Sequence, residues 1–301
     1  MFLYLQMGAA KTAKCGKNPS VFARMEYFSY LCGGNVLRIR CKVMEANVYT
    51  IVLAAIAPAI VLLVYIWWRD KYQREPFGQI VKGFCYGVLS ALLAVLLESL
   101  LMMTGMVTAS AETFGQALVN AFVGAAMPEE LAKLLFLWLL LRRNKYFDER
   151  FDGIVYAACV GLGFAATENI VYLFSHLNTW ETVAVQRAIF AVPGHFFFAV
   201  AMGYFYSMIY FGDMDWKKAS LIFWVPVLLH GTYDGLLFIA NLGTMLSGAM
   251  LMAFYYFCYK LMGYGRRNIA EHLERDRKDP NQVAYWKEHG SAMPDDVVGD
   301  A

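Results

Sequence analysis

Long apolar segments alternate with short polar connections along most of this chain. Seven such segments lie at approximately residues 47–68, 80–103, 115–141, 153–175, 186–210, 219–241 and 244–263. A helix of about 20 apolar residues, with a rise of about 1.5 Å per residue, crosses the roughly 30 Å of hydrocarbon in a bilayer. Membrane strands would instead alternate apolar and polar positions. The pattern predicts an all-α, polytopic membrane bundle with about seven transmembrane helices.

The overall composition agrees with this prediction. The 301 residues are 59% hydrophobic and only 17% charged. A net charge of +2 gives no reason to expect a nucleic-acid partner. The six cysteines show no CxxC spacing, so they indicate neither a disulfide framework nor a zinc knuckle. We therefore expect an integral protein of the cell membrane that contacts the lipid bilayer.

Basic residues follow every second segment, which predicts the orientation of the helices. They cluster after the first, third, fifth and seventh segments and include Arg69, Lys71, Arg74, Arg142, Arg143, Lys145, Arg150, Lys217, Lys218, Arg266 and Arg267. The loops after the second, fourth and sixth segments contain none before Arg187, at the edge of the fifth segment. By the positive-inside rule, the N-terminus is predicted outside and the C-terminus in the cytoplasm.

The chain is predicted to divide into three parts. Residues 44–263 form the seven-helix domain, and residues 264–301 form a charged, non-catalytic cytoplasmic tail with a short surface helix near 269–277 and a solvated His272. Residues 1–43 are a doubtful basic extension, because they carry seven Lys or Arg residues that an outside N-terminus would have to export. We expect translation to start at Met44.

The third segment carries charged residues where lipid should surround it. Glu129, Glu130 and Lys133 lie near its middle. A charge at the bilayer centre costs roughly 2.5 to 3.5 kcal/mol, so such residues usually serve a function and face a wet or protein-lined interior. Glu129 and Lys133 are four residues apart and share a helix face, so Lys133 can pair with one carboxylate and leave the other free to titrate.

Three further segments carry ionisable residues at comparable depth. Glu168 and Asp234 lie roughly 10 Å from the outer ends of their segments, His195 about 13 Å, His230 about 16 Å and the two glutamates about 20 Å. His230 and Asp234 are four residues apart, so Asp234 can orient the imidazole. Pro128 and Pro193 interrupt the helices beside Glu129 and His195, which is tolerated where neighbours or water satisfy the freed backbone groups.

These residues fall into four short motifs that resemble a known family. The motifs are an EExxK within Pro128–Lys133, an FxxxE over Phe164–Glu168, the Pro193-Gly-His195 triplet and an HxxxD over His230–Asp234. In this order, on separate segments, they resemble the PrsW-type intramembrane proteases, which are related to type II CAAX-prenyl endopeptidases. The resemblance implies a peptidase that makes the first cut in a membrane-anchored anti-sigma factor during bacterial stress signalling.

Peptide hydrolysis requires a base for water, a donor for the oxyanion and a cavity that water can reach. We assign Glu129 or Glu130 as the base, and His230, held by Asp234, as the oxyanion donor. His195 and Glu168 complete the site, and Lys133 is structural. A divalent metal such as zinc is the alternative, with ligands among Glu129, Glu130, Glu168, His195 and His230.

Two other functions fit the same residues. Intramembrane Glu, His and Asp side chains also build proton relays, so a proton- or ion-coupled transporter is one alternative. A non-enzymatic membrane scaffold that binds a partner helix through its polar layer is another.

The start at Met44 predicts a short acidic leader, Met44-Glu45-Ala46-Asn47, outside the membrane. Mass spectrometry of the native protein should then find Met44 at or near the N-terminus. Detection of a peptide from residues 18–24 would contradict this start.

Overall fold

The computed structural model describes residues 48–70 and 73–279, and within these ranges the regular structure is entirely helical. Nine α-helices follow one another: α1 (Val48–Arg69), α2 (Phe77–Met103), α3 (Phe114–Val119), α4 (Met127–Leu141), α5 (Arg150–Ser175), α6 (Trp180–Gln186), α7 (Val192–Tyr210), α8 (Leu221–Ala240) and α9 (Ser247–Lys278). Two π-helices, Asn120–Ala126 and Arg187–Ala191, join α3 to α4 and α6 to α7, and a 3₁₀-helix (Trp216–Lys218) precedes α8. The prediction of an all-α fold is confirmed. Residues 1–43 and the proposed start at Met44 lie outside the described ranges.

Among the described residues, five helical stretches are long and apolar enough to cross a membrane: Val48–Arg69, Phe77–Met103, Arg150–Ser175, Trp180–Tyr210 and Trp216–Ala240. The predicted third segment corresponds to α3, the first π-helix and α4, and its three charged residues keep it out of this set. The predicted seventh segment is the first part of α9. The protein is therefore a multi-pass membrane protein, and the count of seven spans is approximate.

Helix α5 lies at the centre of the bundle and packs against α1, α2 and α7. In its most apolar 18-residue stretch, 83% of the residues are buried. Small residues recur along it, and a Cβ added at Gly161 would lie 2.6 Å from Ala199 Cβ and 3.1 Å from the carbonyl oxygen of His195. Because membrane helices associate largely through close packing, this glycine brings α5 and α7 together beside the predicted site residues.

The last helix continues well past the predicted boundary at residue 263. Helix α9 runs unbroken to Lys278, and Ile269, His272 and Leu273 are buried. The His272 ring stacks on Tyr204, with the ring centroids 4.5 Å apart. The prediction of a solvated His272 is wrong, because one face of the polar helix packs on α7 and α5. The division into domains at residue 263 stays a prediction.

The contact at Gly161 predicts that Gly161→Ala destabilises the protein. A glycine within a helix usually costs roughly 0.5–1 kcal/mol relative to alanine, so the substitution should stabilise the protein where space allows. At Gly161 we instead expect a loss of about 1–3 kcal/mol, because the added methyl group overpacks the interface of α5 with α7. Thermal unfolding in nanodiscs measures the difference.

Gly263→Ala is the matched control, because nothing lies within 4 Å of a Cβ at that helical position. Equal unfolding temperatures for the two variants would contradict the close contact between α5 and α7.

Candidate active site

The charges of α4 are neutralised inside the protein. Lys133 Nζ lies 2.7 Å from Glu130 Oε1 and 3.6 Å from Glu129 Oε2, and all three side chains are no more than 2% exposed. The ammonium also lies 4.1 Å from the ring centroid of Phe164, a favourable cation–π position. Lys133 therefore lies closer to Glu130 than to Glu129.

His230 lies between carboxylates from two helices. Its Nδ1 is 2.9 Å from Glu130 Oε1, while its Nε2 is 3.3 Å from Asp234 Oδ2 and 3.9 Å from Glu129 Oε2. The ring stacks on Phe198 with centroids 4.8 Å apart and a 19° angle between planes. Asp234 and Glu130 together fix the orientation of this imidazole, and its Nε2 side faces Glu129.

His195 connects the charges of α4 to those of α5. Its Nδ1 is 3.1 Å from Lys133 Nζ and its Nε2 is 2.8 Å from Glu168 Oε2. An ammonium only donates hydrogen bonds, so Nδ1 must accept from Lys133 and Nε2–H must donate to Glu168. The His195 and His230 rings lie 5.3 Å apart between centroids.

Glu168 is held by an arginine to which the sequence analysis assigned no role. Arg187 Nη2 lies 2.6 Å from Glu168 Oε2, and Arg187 Nε donates to Asn169 Oδ1 at 2.5 Å. Asn169 in turn donates to the carbonyl oxygen of Ala55 on α1 at 3.0 Å. Arg187 was treated only as the edge of an apolar segment. The sequence signal that could have identified Arg187 was its position eight residues before His195, on the same apolar segment.

The two π-helices end directly before Met127-Pro128 and Val192-Pro193. Proline has no N–H to donate and its ring clashes with the carbonyl four residues earlier, so a regular α-helix cannot continue through it unchanged. A wider π turn absorbs this defect and changes the direction of the side chains that follow, as is frequent at functional sites. The sites of helix interruption predicted from the prolines thus position Glu129 and His195.

A cavity of about 380 Å³ lies against this network. Its polar lining includes Glu129, Glu168, Arg187, His195, His230 and Asp234. Aromatic side chains form much of the remaining wall, among them Tyr172, Phe190, Phe198, Tyr233, Phe254 and Tyr255. Glu130 and Lys133 are not part of the lining and lie behind Glu129 and His230. The structure thus brings together all seven residues singled out in the sequence, and it distinguishes the two adjacent glutamates.

Three of these side chains are arranged as a metal site would require. Glu129, His195 and His230 are buried and offer ligand atoms that all lie within 4.8 Å of one another. Two histidines and one carboxylate form a known ligand set for hydrolytic zinc. Glu130 beside His230 and Glu168 beside His195 add the carboxylate–histidine contacts that usually orient such ligands. His195 would bind through Nδ1, whose lone pair here accepts from Lys133, so a metal would replace that hydrogen bond. With this exchange, the residues fit a divalent metal.

Comparison with known families identifies the chain. Residues 75–261 match the family described as PrsW family intramembrane metalloprotease. The chain belongs to the PrsW family. Its relatives include Protease PrsW of Clostridioides difficile (strain 630), 36% identical over 191 residues that cover 62% of this chain and 79% of the relative. Protease PrsW of Geobacillus kaustophilus is 33% identical over 212 residues, 69% of this chain and 88% of the relative. Protease PrsW of Bacillus subtilis (strain 168) is 34% identical over 193 residues, which cover 63% of this chain and 83% of the relative.

No solved structure matches the chain significantly. Membership of the PrsW family makes this chain an intramembrane peptidase and favours that function over the transporter and scaffold alternatives. The family is described as metalloproteases, in agreement with the metal alternative drawn from the sequence.

The position of Lys133 predicts that Lys133→Met strongly destabilises the protein. Methionine fills a similar volume but leaves the buried Glu129 and Glu130 without their cation. Removing one partner of a buried ion pair typically costs about 3–5 kcal/mol. Thermal unfolding in nanodiscs measures the loss, with Lys260→Met, at an exposed lysine of α9, as the control. A Lys133→Met protein as stable as this control would show that Lys133 does not neutralise the site.

Proposed function

We propose that this PrsW-family peptidase cleaves a membrane-anchored protein in the cavity bounded by α4, α5, α7 and α8. The observation that carries the proposal is the convergence of Glu129, His195 and His230 on the wall of one cavity. Hydrolysis inside a membrane requires these groups to meet where water and a peptide can both reach them. A cavity of about 380 Å³ has room for both.

Glu129 is proposed as the general base. It lines the cavity, whereas Glu130 does not, and the Lys133 ammonium lies closer to Glu130 than to Glu129. A general base must reach the water that it deprotonates, so a carboxylate on the cavity wall is better placed than one behind it. Glu130 is then a positioning residue that holds Lys133 and the Nδ1 side of His230.

His230 is proposed to act on the substrate carbonyl. Its Nε2 side faces Glu129 and Asp234. In a reaction without a metal, a proton on Nε2 can be donated to the developing oxyanion or to the departing amine. If Nε2 holds a metal, it carries no proton and the ring serves as a ligand. Asp234 Oδ2 lies 3.3 Å from His230 Nε2 and orients the ring. His195 is held through Nε2 by Glu168, which Arg187 fixes in turn.

Glu129, His195 and His230 would hold the metal that the family description implies, and we propose zinc. A divalent metal supplies Lewis-acid chemistry, since it polarises a carbonyl and makes a water molecule more acidic. Lys133 remains outside the ligand set and balances the charge of Glu130.

The substrate is proposed to be a membrane-anchored anti-sigma factor, cut near the outer face of the membrane. The resemblance to PrsW-type proteases supports this substrate class. His176, Gln186 and Asn241 line the cavity, and they lie at the ends of α5, α6 and α8 that the basic loops predict to be outside. The predicted orientation, with an outside N-terminus and a cytoplasmic C-terminus, therefore places the cavity toward the outer surface.

A cleavage assay tests the proposed catalytic residues. Full-length protein in nanodiscs is incubated with a tagged, membrane-anchored anti-sigma factor. Glu129→Gln and His230→Ala should each lower the cleavage rate by roughly 100-fold or more, because each removes a group that moves or stabilises charge in the reaction. Glu112→Gln, at an exposed loop carboxylate, should cleave at the rate of the original protein.

The same preparations test the metal. Elemental analysis of active protein should find about one zinc per chain, and His195→Ala should lose it while the unfolding temperature shows that the protein remains folded. Unchanged cleavage by Glu129→Gln and His230→Ala would overturn the catalytic roles. Full activity of metal-free protein would overturn the zinc site alone.

A further inference from the structure

A second group of buried carboxyl groups lies at the opposite end of α5. Asp70 directly follows the last residue of α1, Glu149 and Asp152 lie at the start of α5, and Asp276 belongs to α9. All four are no more than 2% exposed. The 16 residues from Asp152 to Glu168 correspond to about 24 Å along the helix, so this acidic cluster is separate from the active site.

Three of these carboxyl groups converge on a common point. Oxygen atoms of Asp70, Glu149 and Asp152 all lie within 4.8 Å of one another. Oxygens on opposite sides of a calcium ion are about 4.6–5.2 Å apart, since Ca²⁺–O distances are about 2.3–2.6 Å. Carboxylate oxygens are also the ligands that hard divalent cations prefer.

The hydrogen bonds of the cluster leave two of its oxygens unused. Asp70 Oδ2 accepts from the amide of Glu75 at 3.0 Å, and Asp152 Oδ2 accepts from the amides of Asp148 at 3.1 Å and Glu149 at 2.7 Å. The Glu149 side chain faces the amide of Asp152 in a capping box at the start of α5, whereas Asp70 Oδ1 and Asp152 Oδ1 are buried without a hydrogen-bond partner. Buried polar atoms are normally satisfied, so these two oxygens point to a missing ligand.

The arginines near the cluster do not pair with Asp70, Glu149 or Asp152. Arg150 Nε contacts Asp213 at 2.5 Å, and its Nη1 lies 2.9 Å from Asp279 and 3.6 Å from Asp276, the fourth carboxyl group of the cluster. Arg74 Nε donates to the backbone carbonyl of Asp70, not to its carboxylate. Within residues 48–70 and 73–279, no lysine or arginine forms an ion pair with the carboxylates of Asp70, Glu149 or Asp152.

Ionised carboxyl groups this close together repel one another where burial keeps water away. A divalent cation among Asp70, Glu149 and Asp152 would offset this repulsion.

We propose that Asp70, Glu149 and Asp152 form a binding site for a hard divalent cation, calcium or magnesium. The ion would tie the end of α1 to the start of α5. Asp276 of α9 joins the same region, because its two oxygens accept from the amides of Arg150 at 3.0 Å and Phe151 at 2.8 Å. The site clamps the first, central and last helices together at the end of the bundle predicted to be cytoplasmic.

Thermal unfolding of the full chain in nanodiscs tests this site. After removal of metal with a chelator, addition of CaCl₂ or MgCl₂ should raise the unfolding temperature in a saturable manner, because the ion binds only the folded state. Glu149→Gln should weaken the apparent affinity by roughly tenfold or more, as expected for the loss of a charged ligand. Isothermal titration calorimetry of the same samples measures the affinity directly, even if the variant is less stable.

Two controls separate this site from other carboxylates. Glu112→Gln, at an exposed loop, and Glu129→Gln, at the active site, should both keep the full response to calcium or magnesium. Absence of binding to the original protein, or equal affinity in Glu149→Gln, would show that protons neutralise the cluster and would overturn the proposal. A response lost in Glu129→Gln but kept in Glu149→Gln would assign the ion to the active site instead.

Discussion

The cost of placing charge in hydrocarbon is the constraint on which the architecture of this protein depends. Each isolated charge near the bilayer centre costs roughly 2.5–3.5 kcal/mol, so the charges must neutralise one another. Here they do so in two ion pairs, Glu130 with Lys133 and Glu168 with Arg187, which the neutral His195 connects through hydrogen bonds. The members come from α4, α5, the second π-helix and α7. Satisfying the charges therefore also fixes the relative positions of these elements, and the geometry suited to catalysis follows from the requirement for neutrality.

Sequence patterns predicted those parts of this arrangement in which apolar and charged residues differ clearly along the chain. Apolar length indicated the membrane helices, and charged residues within apolar runs were conspicuous for the same reason. Arg187 was missed because it lies at the nominal edge of a segment, where a basic residue usually contacts the membrane interface. Glu129 and Glu130 could not be told apart, since adjacent residues point about 100° apart on a helix and the preceding π turn sets the starting direction. His272 was misjudged because the polar composition of α9 concealed one packed face, although the spacing of Ile269, His272 and Leu273 follows the helical period.

The same structural solution appears twice around the site. Each time a proline follows a π-helix, and the residue of interest lies one or two positions after that proline. The proline makes a regular helix unfavourable, and the wide turn accommodates it without leaving the bilayer. Freed backbone groups beside the cavity can be satisfied there by water, which lipid-exposed backbone could not. The helix defects and the polar cavity are thus mutually dependent: the defects direct Glu129 and His195 inward, and the cavity makes the defects tolerable.

Helix α5 shows how such a bundle holds together without a strong hydrophobic driving force. Lipid tails are as apolar as leucine side chains, so helices in a bilayer associate through close packing and polar contacts. The middle of α5 supplies the close packing, since a Cβ at Gly161 would contact Ala199 of α7 and one at Gly163 would overlap the carbonyl oxygen of Phe84 on α2. The ends of α5 supply the polar contacts, through Asp152 at one end and Glu168 at the other. Because glycine packing keeps the middle of the helix closely fitted, both polar ends are held in fixed positions relative to α1, α2 and α7, and each can carry a site that depends on well-defined distances.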